Sequence, residues 1–344
     1  MRRLISSAAV LAGGALLLAA CSSSSSPSAS ATDGSKASAP VTVRLGYLAN
    51  ITNATALVGV KEGFFTKQLG SAGSLSTSTF TSGTQEVTAL LAGQLDAAYV
   101  GPGPAAQAFQ KSSGQVKIIS GAAEGGAAIV VKSSITSASQ LKGTTLATPS
   151  LGNTQDVALR YWLKTNGLST TTTGGGNVDI KPTSPNSDAV LEFKSGQIDG
   201  GDEPAPYDIE MVSDGGHVLL SQTGVTTELV VTTSFMDAHP AVVEDLLKAQ
   251  VETTTFINSN TSAAETAANS ELAAYTGKAL KSSLVADSFK QITFTNDPDE
   301  SSLTTQAGWT QAVGLASSSD VSGIFDLSSL NEALTAAGEA QISS

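Results

Sequence analysis

Two stretches of this 344-residue chain are nearly the same phrase: residues 92–104 read AGQLDAAYVGPGP and residues 195–206 read SGQIDGGDEPAP. Each has the order helix, Gly, short strand, Asp, loop with Pro. They lie about a hundred residues apart, too far for a solenoid, whose repeat runs roughly 20–50 residues. The spacing suits two similar domains that each use the same device. In each copy the glycine, Gly93 or Gly196, supplies the left-handed residue that stops a helix. The strand that follows is short and buried, and the loop after it opens at the strand's carboxyl end. In open α/β sheets ligands sit at such ends. Two domains presenting such loops to a common gap make a cleft.

The rest of the body has the matching rhythm. VTVRLGYLA from Val41 alternates as a strand, and Asn50 to Asn53 are helix-start residues ahead of an apolar-faced helix closed by Gly63. LSTSTFTSG is a period-two strand, and Thr81-Ser82-Gly83-Thr84 caps the helix that ends at Gly93. GPGP at 101–104 is a hard break. A second series of helix and strand runs from SASQLKGTTLATPS to ELVVTTSF, including the helix LGNTQDVALRYWLKTNG with its Gly167 stop. Strand, helix and strand in alternation are the mark of a mostly parallel sheet covered by helices. AIVVKSS (128–134) and LVVTTSF (229–235) are read as the two crossings between domains. After Phe235 the chain turns helical, with one late strand at ITFTN, and its last helices are expected to pack back on the first domain.

The chain begins with Arg2 and Arg3 and an apolar run from Ala8 to Ala20, ending Leu18-Ala19-Ala20-Cys21. The run is shorter than the roughly 20 residues of a membrane span, and its order is that of an export signal. The tetrapeptide resembles a bacterial lipobox. Cys21, the one cysteine present, would carry the lipid, since it has no intramolecular partner. Two acyl chains give stable anchoring. Residues 1–20 are thus read as a lipoprotein signal peptide, and residues 21–40, rich in Ser, Ala and Pro, as a flexible tether. The location expected is the extracytoplasmic face of the cell membrane.

The formal net charge is −12, and more acidic once Arg2 and Arg3 leave with the signal. Such a chain repels nucleic acid, and nucleic acid is not an expected partner. Only Arg44 and Arg160 remain as arginines. An exported hydrolase would need a nucleophile, a base and an orienter. The two histidines, His217 and His239, lie near no Gly-x-Ser-x-Gly elbow, and there is no cysteine pair or His-x-x-x-His for a metal. No enzyme activity, cofactor or metal is expected. A lipoprotein adhesion or sensor module stays open as a rival.

The order and spacing of Gly46-Tyr47-Leu48 with Asn50, Ala92-Gly93-Gln94-Leu95-Asp96, Gly101-Pro102, Gly125-Gly126, Ser139-Gln140-Leu141-Lys142-Gly143, residues 151–156 (LGNTQD), Gly196-Gln197-Ile198-Asp199, Glu203-Pro204 and His239-Pro240 resemble the solute-binding proteins of ABC importers, in the nitrate/sulfonate/taurine group. The resemblance implies a two-lobed α/β fold of the type II periplasmic-binding class, each lobe a mostly parallel sheet flanked by helices, with the ligand cleft between lobes. Lobe I would comprise 41–131 with 233–344, and lobe II 132–232. It implies a monomer that captures a small-molecule solute by lobe closure and delivers it to an ABC permease and its ATPase. Relatives carry a histidine where this chain has Asn53 and a tryptophan where it has Ala205; Tyr207 would replace the ring in part.

Three helix starts become candidates for holding an oxyanion with free N–H groups and the positive end of the dipole: Asn50, Thr52 and Asn53; Gly83, Thr84 and Gln85; Gly152, Asn153, Thr154 and Gln155. Simple N-capping accounts for each alone; that all three face one cleft is implied by the resemblance. Gly101, Pro102 and Glu203 follow as strand-end residues, with Glu203 facing any ammonium on the ligand. A sulfonate or taurine-like solute suits this set. Nitrate or bicarbonate, and a pyrimidine or thiamine precursor, remain as alternatives, the last wanting aromatics that make up only 5% of the chain.

Overall fold

The computed structural model describes residues 40–343. The signal segment, Cys21 and the tether up to residue 39 lie outside them. The first half of the chain runs β1 (Val41–Leu48), α1 (Ala54–Lys61), α2 (Phe64–Leu69), β2 (Gly73–Phe80), α3 (Gly83–Leu91), β3 (Ala97–Val100), α4 (Pro102–Lys111), β4 (Val116–Gly125), β5 (Ala127–Lys132), β6 (Thr145–Thr148) and α5 (Thr154–Thr165). It continues with β7 (Asp179–Pro182), α6 (Asn186–Ser195), β8 (Gly200–Pro204), α7 (Tyr207–Ser213), β9 (Gly216–Ser221) and β10 (Val225–Thr232). The C-terminal part is α8 (Thr233–Ala238), α9 (Pro240–Ser259), α10 (Thr261–Thr276), α11 (Ser282–Lys290), β11 (Ile292–Phe294), α12 (Glu300–Ala312) and α13 (Ser328–Ala337).

These strands form two sheets, ordered β11-β4-β10-β3-β1-β2 and β7-β6-β8-β5-β9. The apolar faces of both are covered on each side. Leu246, Leu272 and Leu330 from α9, α10 and α13 pack on one face of the first sheet, and Leu90, Ala105 and Leu303 from α3, α4 and α12 on the other. In the second sheet Leu159 and Leu163 of α5 cover one face, and Phe193 and Met211 of α6 and α7 the other.

Strand direction follows from the chain path. β1, β2 and β3 pair in parallel, as do β6, β7 and β8. β10 runs antiparallel to both β3 and β4, and β5 antiparallel to both β8 and β9. These two are the strands by which the chain enters a sheet from the other lobe, so each starts at the inter-lobe edge and runs away from it. β4 and β9 run toward that edge and end there. The chain therefore crosses at Gly125–Gly126 and again at 222–224, a few residues before each of the sequence-based crossings. AIVVK is an internal strand of the second sheet and ELVVT an internal strand of the first.

The repeated phrase performs one job twice. In the first copy Gly93 (φ 70°) and Gln94 donate their amides to the Leu90 and Ala89 carbonyls; in the second, Gly196 (φ 78°) and Gln197 donate to Phe193 and Glu192. Both are Schellman stops. The aspartate then ties the next strand to its parallel neighbour. The Asp96 amide donates to the Arg44 carbonyl at 2.9 Å, and its carboxylate accepts from the Arg44 amide at 2.8 Å. Asp199 repeats this with Thr145, at 2.8 and 3.0 Å. A basic side chain completes each: Arg44 on Asp96 and Lys132 on Asp199. Burial opposes ionisation of Asp199, but Lys132 and the Thr145 amide outweigh it and hold the carboxyl below the usual range. The Gly-Gln-Leu/Ile-Asp part of the phrase thus sets strand register at the end of the strand remote from the gap.

The second half of the phrase differs from expectation at 101–104. Gly-Pro-Gly-Pro does not break the chain: it opens α4, with Gly101 as N-cap and Pro102 in the first turn, where a missing N–H costs nothing.

Candidate functional site

Between the two sheets lies a narrow crevice enclosing about 30 Å³. Its walls come from the carboxyl ends of strands and the helix starts that follow them. Lobe I supplies Asn50 and Thr52 after β1, Ser82 and Gly83 after β2, and Gly101 after β3. Lobe II supplies Asn153, Thr154 and Gln155 after β6, Asn186 at the start of α6, and Pro204 at the end of β8. Thr226, just past the second crossing, closes the back.

Of the sequence-based candidates, Asn50, Thr52, Gly83, Gly101, Asn153, Thr154 and Gln155 stand on this wall. Asn53 is buried one layer behind: its amide nitrogen donates to Asn50 Oδ1 at 3.1 Å and its Oδ1 accepts from the Leu48 amide. Thr84 faces the other lobe outside the crevice, with its hydroxyl 3.1 Å from Ser150 Oγ. Gln85 uses its amide to complete the Ser82 cap and its side chain to accept from Thr81. Pro102 belongs to the first turn of α4 and Gly152 to the loop beside the crevice, its carbonyl accepting from Gln107 Nε2 across the lobes at 2.5 Å. Asn186 obeys the strand-end, helix-start rule and could have been found by it. Thr226 lies within a strand, and no local pattern marks it.

Capping leaves first-turn amides free at two of the helix starts. Ser82 Oγ accepts from the Gln85 amide, and Asn153 Oδ1 accepts from the Asp156 amide at 2.9 Å. These caps serve only one first-turn amide each. The amides ahead of them in α3 and α5 have no partner within their helix. Asn50 caps nothing; its Oδ1 instead accepts from Thr52 Oγ1 at 2.9 Å and from Asn53.

The lobe II wall is fixed from behind by an ion pair. Asp156 is fully buried and accepts from Thr148 Oγ1, the Gly152 amide at 2.8 Å and Arg160 Nε at 2.8 Å. Arg160 is 1% exposed and lies within lobe II, its second contact being the Thr171 carbonyl. The pair sits one helical turn apart because α5 places positions i and i+4 on one face. It holds the 149–153 loop against the helix start.

No charged side chain lines the crevice. Glu203 departs from its expected role. It is fully buried, points to the α6–α7 side of β8, and neither carboxylate oxygen has a hydrogen-bond partner. Burial, then Asp202, then Asp208 push its carboxyl well above the ordinary range, and the nearby Asn186 amide does not offset them. A carboxyl held neutral behind the wall cannot pair with an ammonium as a carboxylate would, and it does not repel an anion in front of it.

The lobes touch around the crevice. The Gly103 amide donates to Thr154 Oγ1 at 3.4 Å, and Ser184 Oγ to the Thr81 carbonyl at 3.3 Å. Gly101 is glycine for a steric reason: a Cβ there would lie 2.3 Å from Thr154 Oγ1. Tyr161 of α5 stacks on Trp309 of α12, with ring centres 5.1 Å apart and planes 15° from parallel.

The NMT1-like family model matches residues 36–271. Among curated protein sequences none matches significantly. Solved structures do match in shape. The alkanesulfonate-binding protein SsuA from Xanthomonas axonopodis pv. citri, bound to MOPS, superposes with a TM-score of 0.70 at 17% identity, over 84% of this chain and 99% of that one. The periplasmic nitrate-binding protein NrtA from Synechocystis PCC 6803 gives 0.71 at 15% identity, over 86% and 89%. The periplasmic aliphatic sulphonate-binding protein SsuA from Escherichia coli gives 0.63 at 20% identity, over 80% and 91%. These likenesses agree with the two-sheet architecture in showing a periplasmic-binding-protein fold, and with the match over 36–271 the chain belongs to the NMT1-like family.

Proposed function

We propose that this protein is the extracytoplasmic solute-binding component of an ABC importer, lipid-anchored through Cys21, and that its solute is a small sulfonate held between the lobes. The observation that carries the reading is the crevice itself: helix starts from both lobes converge on it, and neutral donors line it without a cation. A sulfonate is a permanent single anion with three acceptor oxygens. Backbone amides, the Thr154 hydroxyl, and the side-chain amides of Asn153 and Asn186 match it. The naming of two structural neighbours as sulfonate-binding proteins supports the same choice. The lobes close by bending at Gly125–Gly126 and 222–224, bury the solute, and present the closed form to a permease; no bond of the solute is broken. Taurine is less well served than a simple alkanesulfonate, because Glu203 is not on the wall.

A bare oxyanion such as nitrate is the second reading, favoured by the small enclosed volume of about 30 Å³. The two are separated by thermal unfolding of the chain from Val41 onward with ethanesulfonate, nitrate or bicarbonate. A ligand at a hundred times its Kd adds about 2.7 kcal/mol, or several degrees in Tm. Ethanesulfonate is expected to raise Tm, and Asn153→Ala to weaken its binding about tenfold. A rise with nitrate alone replaces the solute; a rise with none of them in the folded, ligand-free protein rejects the anion assignment.

A further inference from the structure

Beside the crevice, on the side of the second crossing, lies a cavity of about 320 Å³ that the role proposed above does not use. α5 contributes Gln155 and Ala158 to it, the crossing contributes Gln222, and α12 contributes Thr305, Gln306 and Trp309. Thr154, Gln155 and Thr226 line both spaces, so the two share a wall. The larger one is of the size that accepts small organic groups, whereas the crevice holds little more than an anionic head.

The chemistry of the lining is specific in one respect: it mixes hydroxyls and amides with apolar surface and has no charged side chain. Its amides are already half used. Gln306 Nε2 donates to the Val225 carbonyl at 3.0 Å and to Ser302 Oγ, and Gln222 Nε2 donates to Asp202 Oδ2 at 2.8 Å. Gln155 Oε1 accepts from Asn153 Nδ2 at 2.9 Å. Left to face a guest are the carbonyl oxygens of Gln306 and Gln222, a second Gln222 amide proton, the amide nitrogen of Gln155, and the hydroxyls of Ser221, Thr223 and Thr305. That set suits a group able to donate and accept, such as a hydroxyl or a primary amide. The Trp309 indole, fixed by its stack on Tyr161, adds a flat apolar surface at the same place.

We infer that the solute has two parts: an oxyanion head in the crevice and an uncharged, hydroxyl- or amide-bearing tail in the cavity between α5, α12 and the second crossing, flat enough to lie along Trp309. This rests on the sulfonate reading of the crevice and narrows it, from any small sulfonate to one with a polar, planar tail. A charged tail is disfavoured because the lining offers it no counter-charge.

The test uses the chain from Val41 onward and calorimetric titration with four probes: ethanesulfonate, benzenesulfonate, 4-hydroxybenzenesulfonate and 4-sulfobenzoate. 4-Hydroxybenzenesulfonate is expected to bind about tenfold or more tighter than ethanesulfonate, with benzenesulfonate between them and 4-sulfobenzoate weaker than benzenesulfonate. Ala158→Leu fills the cavity from α5 and is expected to abolish that advantage while leaving ethanesulfonate unchanged. Thr305→Phe fills it from an exposed position of α12, so that a folding defect in the first variant cannot decide the matter. If ethanesulfonate and 4-hydroxybenzenesulfonate bind alike, or the advantage survives both filled variants, this inference falls and the sulfonate reading stands. If no probe binds, the sulfonate reading falls and takes the inference with it.

Discussion

Asp202, Glu203 and Asp208 are three buried carboxyls close together in lobe II, with no cation among the described residues paired to them. Burial raises all three, and for Asp202 and Glu203 neighbouring carboxylates raise them further. Asp208 is pushed up to about 7, chiefly by burial, against about 3.9 in an unfolded chain. Between those values the folded protein keeps a proton that the unfolded chain has lost. The contribution of Asp208 to stability is therefore fully present below about pH 4, falls as pH rises to about 7, and is level above; the whole window is worth about 4 kcal/mol. Asp208→Asn is neutral at every pH, so its stability relative to the parent should climb across that window. Urea unfolding at pH 4.5, 6 and 8 measures it, and a difference that does not change with pH contradicts the assignment. Sequence reading marks Glu203 by its place at a strand end but cannot tell which face of β8 it takes. One residue of strand register decides between cleft wall and interior, and here Pro204 takes the wall.

At the scale of elements, the contact that matters most for closure joins α5 and α12, whose stacked residues Tyr161 and Trp309 come from different lobes. Lys164 Nζ adds a bond to the Ala312 carbonyl at 2.5 Å. An aromatic pair of this kind is worth about 0.5–1.5 kcal/mol beyond its buried area. If it forms only when the lobes are closed, Tyr161→Ala should raise the solute's Kd by about twofold to tenfold, since a ligand that needs the closed form bears the cost of populating it. Tyr161→Phe keeps the ring and should keep the affinity. Trp309 is one of two tryptophans, the other being Trp162, so Trp162→Phe leaves a fluorophore that reports closure directly. An affinity unchanged in Tyr161→Ala would show that the pair does not bias the equilibrium. α5 was legible in sequence from its polar start and its Gly167 stop, and α12 as one of the late helices. Their meeting was not, because local periodicity says which face is buried and not what buries it. α4 was hidden for a different reason: Pro102 and Pro104 read as a break, though proline is tolerated in a helix's first turn. The duplicated Gly-Gln-Leu/Ile-Asp was legible as one device used twice, because a left-handed glycine and a register-setting aspartate each demand one residue type. The cleft-lining serines, threonines and asparagines make no such demand; they are common across the chain and only the fold picks out the few that face the gap.

For the whole molecule the telling quantity is charge. The chain carries a formal net charge of −12, while the crevice wall carries none. An anionic solute is thus held by local dipoles at short range but approaches through a field of its own sign. The first term hardly depends on salt, since the donors are in contact with the ligand and shielded from ions. The second acts over the Debye length, about 30 Å at 0.01 M and about 8 Å at 0.15 M. Association of a sulfonate should therefore speed up as salt is added, by about a factor of a few over that range, with the dissociation rate nearly fixed. This is the reverse of electrostatic steering. Stopped-flow fluorescence of Trp309 on mixing with ethanesulfonate at several salt concentrations measures it. A rate that falls with salt would mean a positive field at the mouth that the lining residues do not show. A flat rate would mean that the field of the net charge does not reach the mouth of the cleft, and would remove the repulsive term from the account.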